Sequence, residues 1–306
     1  MTGQRVIVTG AGGFVGGHVM KAVALSGATP IGLVRSGDPA RCNTGWHWAR
    51  ADLVTDPLDA VLADLAPDAI IHCAGRTAAP DTDAGRADLF AANLTATSRL
   101  IAAISRMPHP VRTVVVSSAA IWAPMSPDQT VIDEGHAMRP VATYGVSKAA
   151  ATLQALAESD RLGLDLAVAV PFNVIGPGQP HRLVPQVFID QLRASPDVFT
   201  LSNGAAIRDW IDVRDVATAL VALSGKNGPR GLFNVASGEG RSLQDMLTAL
   251  CRIGGWRPEV QQGTPHDVSG VSKSIGTPQR LIAAAGWTRQ FALDDSLREM
   301  IYPPPP

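Results

Sequence analysis

The sequence predicts an α/β protein, with a doubly wound parallel sheet followed by a smaller mixed α/β region at the C-terminal end. In the first half, apolar runs rich in β-branched residues alternate with longer alanine-rich stretches, a pattern typical of parallel strands joined by right-handed helical crossovers. The glycine-rich segment VTGAGGFVG, residues 8–16, lies between the first strand and the first helix. After Pro171 the composition changes, because five glycine and proline residues between 176 and 185 interrupt the alternation of strands and helices.

This change of composition and the proline-rich end divide the chain into three segments. We predict a sheet domain over residues 1–170, to which strands from later residues can return, and a second region over 171–301. Residues 302–306, a tyrosine and four prolines, are predicted as a mobile tail, because proline can neither continue a helix nor donate to a sheet.

The elements of the first domain follow in order. The first helix has Val15, Val19, Ala22 and Val23 at helical spacing and ends at Gly27. Two further long helices are predicted over residues 87–106 and 141–161. Six runs, most of them apolar without alternation, are predicted as strands covered on both faces: 5–9, 30–34, 46–50, 69–73, 111–117 and 166–170.

Composition limits the class of protein. Of the 306 residues, 46% are hydrophobic and 17% charged, with 26 basic and 27 acidic side chains and a net charge of -1. These values are typical of a globular enzyme and exclude a disordered or fibrous protein. The even charge balance gives no basic surface for nucleic acid. No apolar run approaches the roughly 18 residues of a membrane span, so we expect neither nucleic acid nor membrane as a partner.

Cysteine and histidine usage argues against a metal site. The three cysteines, Cys42, Cys73 and Cys251, are widely spaced, and the seven histidines are scattered without a paired motif. Neither a disulfide scaffold nor a metal centre is expected. This cysteine usage, with a glycine-rich start in place of a signal segment, favours a cytoplasmic protein.

The glycine-rich turn predicts a dinucleotide site. Gly10 permits a positive φ, Gly13 lets a diphosphate approach the backbone, and Gly16 lets the helix pack closely on the sheet. The helix that begins near Phe14 and Val15 then presents free N–H groups and a positive dipole end to the anion. The alternative is a tight turn without a ligand, but the strand before it and the helix after it favour the dinucleotide.

The end of the second strand favours NADP(H) over NAD(H), which stays possible. An acidic residue there would accept hydrogen bonds from the ribose 2′-hydroxyl, whereas an arginine pairs with a 2′-phosphate. Arg35 and Ser36 follow the strand, without an acid, although Arg35 can also be a solvated charge at a strand end. Asp52, beside Leu53 after the third strand, can hydrogen-bond the adenine or cap the next segment.

Tyr144 and Lys148 indicate proton transfer. They lie four residues apart at the start of a long predicted helix, hence on one helix face. A lysine ammonium beside a phenol, together with a positive nicotinamide ring, favours the phenolate and brings the tyrosine towards a useful proton-transfer pKa. Ser118, just after the fifth strand, is placed to hold the substrate oxygen. The Tyr-x-x-x-Lys pair alone occurs by chance in many helices. It indicates a catalytic site here because it follows the fifth strand of a chain that begins with the glycine turn.

Nine features together resemble the extended short-chain dehydrogenase/reductases, in particular the branch of nucleotide-sugar epimerases, dehydratases and 4-ketoreductases. The resemblance covers nearly the whole chain and implies a Rossmann sheet that binds NAD(P). The features are TGAGGFVG (9–16), AIIHCAG (69–75), Asn93, VVVSSAAIWA (114–123), YGVSK (144–148), PFNVIGPGQ (171–179), RDWIDVRDVA (208–217), LFNVASGEGRSL (232–243) and AAAGW (283–287).

The resemblance also implies residue roles. Ser118, Tyr144 and Lys148 match the family's catalytic triad. Asn93 matches the residue that supports the lysine through the active-site hydrogen-bond network. Further residues are expected to line the cofactor, namely Cys73, Ala74, Gly75 and Pro171. Others are expected to meet a nucleotide-sugar substrate, namely Ser117, Trp122, Asn173, Leu183 and Arg208.

Arg208 has two possible roles. Asn173 and Arg208 match positions that in relatives contact the diphosphate of the sugar nucleotide, and Leu183 matches one that meets the base. A guanidinium binds phosphate bidentately. The alternative for Arg208 is an ion pair with Asp209 or Asp212 that fastens the second region.

Some positions depart from the family pattern. Dehydratases place an Asp-Glu pair directly after the active-site Ser or Thr, where this chain has Ala119 and Ala120. Dehydration is therefore not expected, and alanine cannot supply the second proton donor of a 3,5-epimerase. Trp122 replaces the usual tyrosine beside the sugar, and Thr264 stands where many relatives have a diphosphate-binding arginine. Chemistry at carbon 4 remains.

The expected function is NADPH-dependent reduction of a 4-keto nucleotide sugar of the GDP-4-keto-6-deoxyhexose type, because PFNVIGPGQ and RDWIDVRD most resemble the GDP-4-keto-6-deoxymannose reductases. An NAD-dependent UDP-sugar 4-epimerase has the same triad and is separated from this only by Arg35. A reductase of small non-nucleotide ketones is a second alternative. The long helices 87–106 and 141–161 form the dimer interface in many relatives, so the resemblance also implies a homodimer.

Overall fold

A computed structural model describes residues 1–36, 45–263 and 271–303. Cys42, Thr264 and residues 304–306 of the predicted proline tail lie outside these ranges. The strands are β1 (Arg5–Thr9), β2 (Thr29–Val34), β3 (His47–Arg50), β4 (Ala69–His72), β5 (Arg112–Val116), β6 (Leu166–Pro171), β7 (Asn173–Ile175), β8 (Val198–Leu201), β9 (Ile207–Asp212), β10 (Gly231–Val235), β11 (Gly240–Ser242), β12 (Glu259–Gln262) and β13 (Lys273–Ser274).

Helices occupy many of the connections between these strands, and a π-helical turn over Ala91–Thr95 joins two of the helices. The helices are α1 (Phe14–Leu25), α2 (Leu58–Leu65), α3 (Asp83–Phe90), α4 (Ala96–Ile104), α5 (Thr143–Leu162), α6 (Val184–Ala194), α7 (Val213–Leu223), α8 (Leu243–Gly254), α9 (Gln279–Ala285) and α10 (Leu293–Ile301). Within the described ranges, no helix has both the length and the apolar character that a membrane span requires.

The predicted parallel sheet is confirmed. Its order is β10-β6-β5-β4-β1-β2-β3, and every neighbouring pair is parallel. The six predicted strands agree with the structure to within one residue at each end. The seventh strand, β10, comes from beyond residue 171 and pairs with β6, so the C-terminal half completes the first sheet as well as building the second region.

Helices cover both faces of the sheet, which explains the apolar strands. In β1, Val6 and Val8 pack into a core that includes residues of α1 and α7. Ile7, between them, packs into the opposite core with residues of α2 and α4. With both faces covered, the carboxyl ends of the strands are the edge at which a site can form.

The helix predicted over 87–106 begins earlier and is not regular. It starts at Asp83, because the Thr82 side chain accepts a hydrogen bond from Gly85 N–H (3.1 Å) and caps the first turn. The π turn at Ala91–Thr95 then separates α3 from α4. π turns inside helices are frequent at functional sites, and this one contains Asn93.

The second region is built around β9, which pairs with β7, β11 and β13. Its core includes residues of α6, α8 and α10, with Phe188 and Phe199 in an edge-to-face contact at 5.0 Å. Strand β7 follows β6 after a single residue, Phe172. This short connection brings β9, and with it Arg208, to the carboxyl edge of the main sheet.

Candidate active site

The glycine turn connects β1 to α1 as predicted. Gly10 has φ +66°, and a Cβ there would lie 2.8 Å from Ala74 Cα. A Cβ on Gly16 would lie 2.2 Å from Gly10 O, so neither position accepts a side chain without displacing backbone. Gly13 is the N-cap of α1 and provides no side-chain cap. The N–H groups of the first helical turn are therefore available to an anion.

A cleft of about 890 Å³ opens beside this turn and is called here the glycine-turn cleft. It is lined by residues from the ends of β1, β2 and β4, which parallel pairing brings to one edge. The predicted cofactor residues that line it are Gly10, Gly13, Phe14, Val15, Gly16, Arg35, Ser36, Cys73, Ala74 and Gly75. Sequence prediction therefore identified a set of residues that the fold brings together.

A smaller pocket continues from this cleft along β2 and β3. It is lined in part by Arg35, Asp52 and Leu53. The Asp52 carboxylate accepts a hydrogen bond from Val54 N–H (2.8 Å), and its own N–H donates to Asp56 Oδ2 (2.8 Å). Asp52 therefore has the capping role that was the alternative, and its contact with an adenine stays a prediction.

Ser118, Tyr144 and Lys148 converge on a second cavity of about 440 Å³, called here the central cavity. Gly145 allows α5 to approach the segment after Ser118, because a Cβ at this position would lie 2.3 Å from Ala120 O. Without a side chain, the first turn of α5 can pack against the short 3-10 turn that follows Ser118. Ser118 and Tyr144 line the same cavity, and Lys148 Nζ donates to Val116 O at 2.5 Å.

Burial shifts the pKa values of three side chains that line the central cavity, namely Tyr144, Lys148 and Cys73. Burial raises the pKa of Tyr144, and the Ser118 hydrogen bond opposes this increase. Burial lowers the pKa of Lys148 to about 8. The Lys148 ammonium donates to the Val116 carbonyl, and its effect on the pKa of Tyr144 stays a prediction. Burial also raises the pKa of Cys73 to about 12, so this thiol stays protonated.

Asn93 connects Arg76, on the wall of the glycine-turn cleft, to helix α5. Its Oδ1 accepts from Arg76 N–H (2.8 Å), and its Nδ2 donates to Arg76 O (2.9 Å) and Ser147 Oγ (2.9 Å). Ser147 Oγ in turn donates to Tyr144 O (2.8 Å). The described hydrogen bonds of this side chain do not include Lys148. Asn93 is thus connected through Ser147 to the backbone carbonyl of Tyr144, and its support of the lysine stays a prediction.

A buried chain of hydrogen bonds behind Asn93 was not predicted. Ala74 N–H donates to Thr9 Oγ1 (3.1 Å), which is paired with His72 Nδ1 (2.8 Å). His72 Nε2 is paired with Thr97 Oγ1 (3.0 Å), which donates to Asn93 O (2.7 Å). These directions require a neutral imidazole with its proton on Nε2, assigned from the network. Burial lowers the pKa of His72 to about 3, which agrees with this assignment.

The central cavity also contains most of the predicted substrate residues. Asn173, Leu183 and Arg208 line it, together with Pro171, which was predicted to line the cofactor. Asn173 Nδ2 donates to Asp209 O (2.9 Å), and Arg208 Nη1 donates to Ile207 O (3.0 Å). The carboxylates proposed as ion-pair partners of Arg208 have other bonds: Asp209 accepts from Ser237, Gly238 and Gly276, and Asp212 pairs with Arg214.

Two predicted substrate residues are placed differently. Ser117 lines the central cavity, but its hydroxyl is buried and paired with Thr152 Oγ1 at 2.6 Å. The prediction that Trp122 lines the substrate is corrected, because Trp122 is only 3% exposed and packs in a core behind the 3-10 turn. Its Nε1 donates to Asn234 Oδ1 at 3.3 Å.

Other residues of the cavity wall were not predicted. Arg76, Thr77, Phe172, Gln179 and Trp210 line the central cavity. Gln179 Oε1 and Trp210 Nε1 are buried with no hydrogen-bond partner among the described residues, so an acceptor and a donor are unsatisfied beside this cavity. Both residues lie within the quoted motifs PFNVIGPGQ and RDWIDVRDVA, which was the available signal. Within the described ranges, no group of three or more His, Cys, Asp or Glu side chains is placed to hold a metal ion.

The Asp209 carboxylate holds together the wall that bears Arg208. It is fully buried, and burial raises its pKa to about 6, against four hydrogen bonds that lower it. Asp209→Asn is expected to lower the free energy of unfolding by about 2–4 kcal/mol, because the new amide N–H₂ would face two backbone N–H donors. Urea unfolding would measure this, with Asp59→Asn as the exposed control. A loss below about 0.5 kcal/mol would show that the carboxylate does not hold this wall.

The fold and the family match together define an NAD(P)-dependent enzyme. The chain belongs to the NAD dependent epimerase/dehydratase family, whose model matches residues 6–236. It is an NAD(P)-dependent enzyme of the extended short-chain dehydrogenase/reductase type. This confirms the resemblance on which the residue roles were predicted.

Several relatives match over nearly their full length. The chain is 28% identical over 304 residues to a GDP-6-deoxy-D-mannose reductase of Pseudomonas aeruginosa, covering 97% of this chain and 96% of the relative. It is 27% identical over 314 residues to a UDP-glucose 4-epimerase of Mycolicibacterium smegmatis, covering 97% of each. Among solved structures, MoeE5 in complex with UDP-glucuronic acid and NAD is similar with a TM-score of 0.84 and 26% identity, covering 97% of this chain and 98% of MoeE5.

Proposed function

We propose that the protein is a cytoplasmic NADPH-dependent reductase of a 4-keto nucleotide sugar of the GDP-4-keto-6-deoxyhexose type. The observation that carries this proposal is the composition of the central cavity. Its described lining contains Ser118, Tyr144 and Lys148 but no Asp, Glu or His. Without a carboxylate or imidazole to remove a proton from carbon, Tyr144 is the group suited to acid–base chemistry at a carbonyl oxygen.

Each residue of the triad has a separate task in this reaction. Ser118 and Tyr144, which line the same cavity, can both donate to the carbonyl oxygen of the substrate. Tyr144 transfers its proton to that oxygen as the alcohol forms. When bound, the nicotinamide supplies the hydride. Lys148, on the same helix face, provides a positive charge that favours the resulting phenolate.

The residues around the glycine turn fit a dinucleotide. The backbone N–H groups at the start of α1 suit its diphosphate, and Gly10 and Gly16 leave no room for side chains that would change this turn. Arg35 and Ser36 are exposed at the rim of the same cleft. This position supports pairing of Arg35 with a 2′-phosphate and hence a preference for NADPH.

Arg35→Ala is expected to weaken NADPH binding by about 10- to 100-fold, because a hydrogen-bonded ion pair with the 2′-phosphate would be lost. NADH binding should change by less than about twofold on the same argument. Fluorescence titration of both reduced dinucleotides would measure the two affinities. Equal losses for NADPH and NADH would overturn the 2′-phosphate assignment.

A UDP-sugar 4-epimerase is the second candidate. The observation that favours it is the M. smegmatis relative, which is named as a UDP-glucose 4-epimerase and is 27% identical, against 28% for the GDP-6-deoxy-D-mannose reductase. MoeE5, named in complex with NAD, supports the same alternative. The triad of Ser118, Tyr144 and Lys148 serves both reactions. The reductase and the epimerase therefore differ in the dinucleotide cofactor and in the nucleobase of the substrate. A reductase of small ketones differs from both in having no affinity for GDP or UDP.

The activity assay follows from these differences. Purified protein would be offered NADPH with GDP-4-keto-6-deoxymannose, and separately UDP-glucose without added cofactor. Oxidation of NADPH in the first reaction supports the reductase. Formation of the carbon-4 epimer in the second supports the epimerase. Stabilisation by neither GDP nor UDP in a thermal-shift assay would favour the small-ketone reductase.

We also propose a homodimer that forms through α5 and the segment of α3 and α4. The outer face of α5 exposes apolar residues, with Val146 43% exposed and Leu153 55% exposed. Such residues in the middle of a helix favour contact with a second chain. Analytical ultracentrifugation would distinguish a dimer from a monomer, and a monomer at micromolar concentration would contradict this proposal.

A further inference from the structure

The segment of residues 176–183, between β7 and α6, lies across the edge of the glycine-turn cleft. It is called here the substrate loop. Two hydrogen bonds connect it to the N-terminal domain. His18 Nε2, on α1, is paired with Pro177 O at 3.0 Å, and Arg182 Nη2 donates to Thr77 Oγ1 at 2.7 Å. The loop is therefore held over the cleft near both of its ends.

Arg182 is on the cofactor side of this loop. Arg182 lines the glycine-turn cleft, together with the backbone of the glycine turn. It is absent from the described lining of the central cavity, although its neighbour Leu183 lines both. Arg182 therefore borders the same cleft as the glycine turn, where the diphosphate of a dinucleotide would lie.

The guanidinium of Arg182 is not neutralised within the described ranges. Its described partner is the hydroxyl of Thr77, and none of the described salt bridges includes it. A guanidinium has five N–H donors in a planar fork suited to bidentate contact with phosphate. An exposed arginine that uses one donor on a neutral hydroxyl, on the wall of an anion-binding cleft, can exchange that partner for phosphate oxygens.

We propose that Arg182 binds the diphosphate of the dinucleotide and so closes the substrate loop onto the bound cofactor. In this arrangement the helix N-terminus contacts the diphosphate from one side and Arg182 from the other. Thr77 holds Arg182 in place until the ligand arrives. The proposal rests on the dinucleotide site proposed above and adds to it a phosphate-binding side chain from the C-terminal half of the chain.

The proposal assigns different phosphates to the two arginines of the cleft. Arg182 would bind the diphosphate that NADH, NADPH and ADP-ribose share, whereas Arg35 would bind the 2′-phosphate of NADPH alone. Removing Arg182 should therefore weaken all three ligands to a similar extent. Adenosine 2′-phosphate, which has no diphosphate, should be insensitive to Arg182 and sensitive to Arg35.

Isothermal titration of the full-length protein with ADP-ribose, NADH and NADPH tests this assignment. Arg182→Gln is expected to raise the dissociation constant of each ligand by about 10-fold, the effect of losing one charge-assisted hydrogen bond. Arg106→Gln, which removes an exposed arginine paired with Asp59, controls for the change in net charge. Thr77→Val, which removes only the hydroxyl partner, is expected to weaken ADP-ribose binding less than Arg182→Gln does, because the guanidinium is kept.

Three results would overturn the proposal. Unchanged ADP-ribose affinity in Arg182→Gln would show that the arginine does not contact the diphosphate. An equal loss in Thr77→Val would show that the Arg182–Thr77 contact, and not a phosphate contact, matters for binding. A loss of GDP or UDP affinity alone, measured on dinucleotide-loaded protein, would assign Arg182 to the substrate. Failure of the wild-type protein to bind any dinucleotide would instead contradict the proposed function itself.

Discussion

Replacing Tyr144 with phenylalanine is expected to lower turnover by about 10³-fold, because the change removes the proton donor for the carbonyl oxygen. The phenyl ring keeps the volume of the side chain, and Gly145 still allows α5 to pack against the turn after Ser118. The fold and the dinucleotide affinity should therefore be preserved. Steady-state kinetics with fluorescence titration of the dinucleotide would measure both quantities.

The chain provides a matched control for this substitution. Tyr302, the only other tyrosine in the sequence, is 58% exposed at the end of α10. Tyr302→Phe removes the same hydroxyl far from the central cavity and should leave turnover unchanged. Residual turnover above about one tenth of the wild-type value in Tyr144→Phe would contradict the proton-donor role, since such a donor supplies at least about 10²-fold.

Replacing Lys148 with methionine is expected to lower turnover by about 10²-fold and to change the pH profile. Burial lowers the pKa of Lys148 to about 8, so the ammonium is present below that pH and is lost above it. Because its charge favours the phenolate that Tyr144 becomes, reduction by the wild-type protein should slow as the pH rises through about 8. The methionine variant should lack this decline.

The position of the decline distinguishes a role of the charge from a role in packing. Lys226 is exposed, and Lys226→Met controls for loss of a surface ammonium. If Lys148→Met lowered turnover but kept the decline near pH 8, another group would titrate there and the assignment to Lys148 would be wrong. A methionine variant with normal turnover would show that the charge is not needed.

Much of the fold could be predicted from local patterns. Most of the six predicted strands are buried apolar runs, whereas the edge strand β3 is partly exposed. The glycine turn could be recognised because a strand precedes it and a helix follows it. The convergence of Arg35, Gly75 and Ser118 on one edge also follows, because they come just after β2, β4 and β5 and the carboxyl ends of parallel strands meet there. These conclusions depend on spacing along the chain, which a single sequence displays.

What could not be predicted depends on contacts between distant segments. The hydrogen bonds from Ala74 through His72 to Asn93 join segments that are distant in sequence. Asn93 lies in a π turn, which no local signal distinguishes from a regular helix. Trp122 was assigned to the substrate by its place in a motif, but the 3-10 turn after Ser118 directs it into a core. Arg182 and Thr77 are 105 residues apart in sequence, so neither residue indicated the other.

The most direct test of the proposed NADPH-dependent reductase is the identity of the nucleotide that the purified protein contains. The protein would be denatured, any released nucleotide identified by mass spectrometry, and the native form titrated with NADPH and NADH. An empty protein that prefers NADPH is the result expected of a reductase with a dissociable cofactor. Near-stoichiometric NAD would contradict it, favour the 4-epimerase and leave Arg35 as a surface charge.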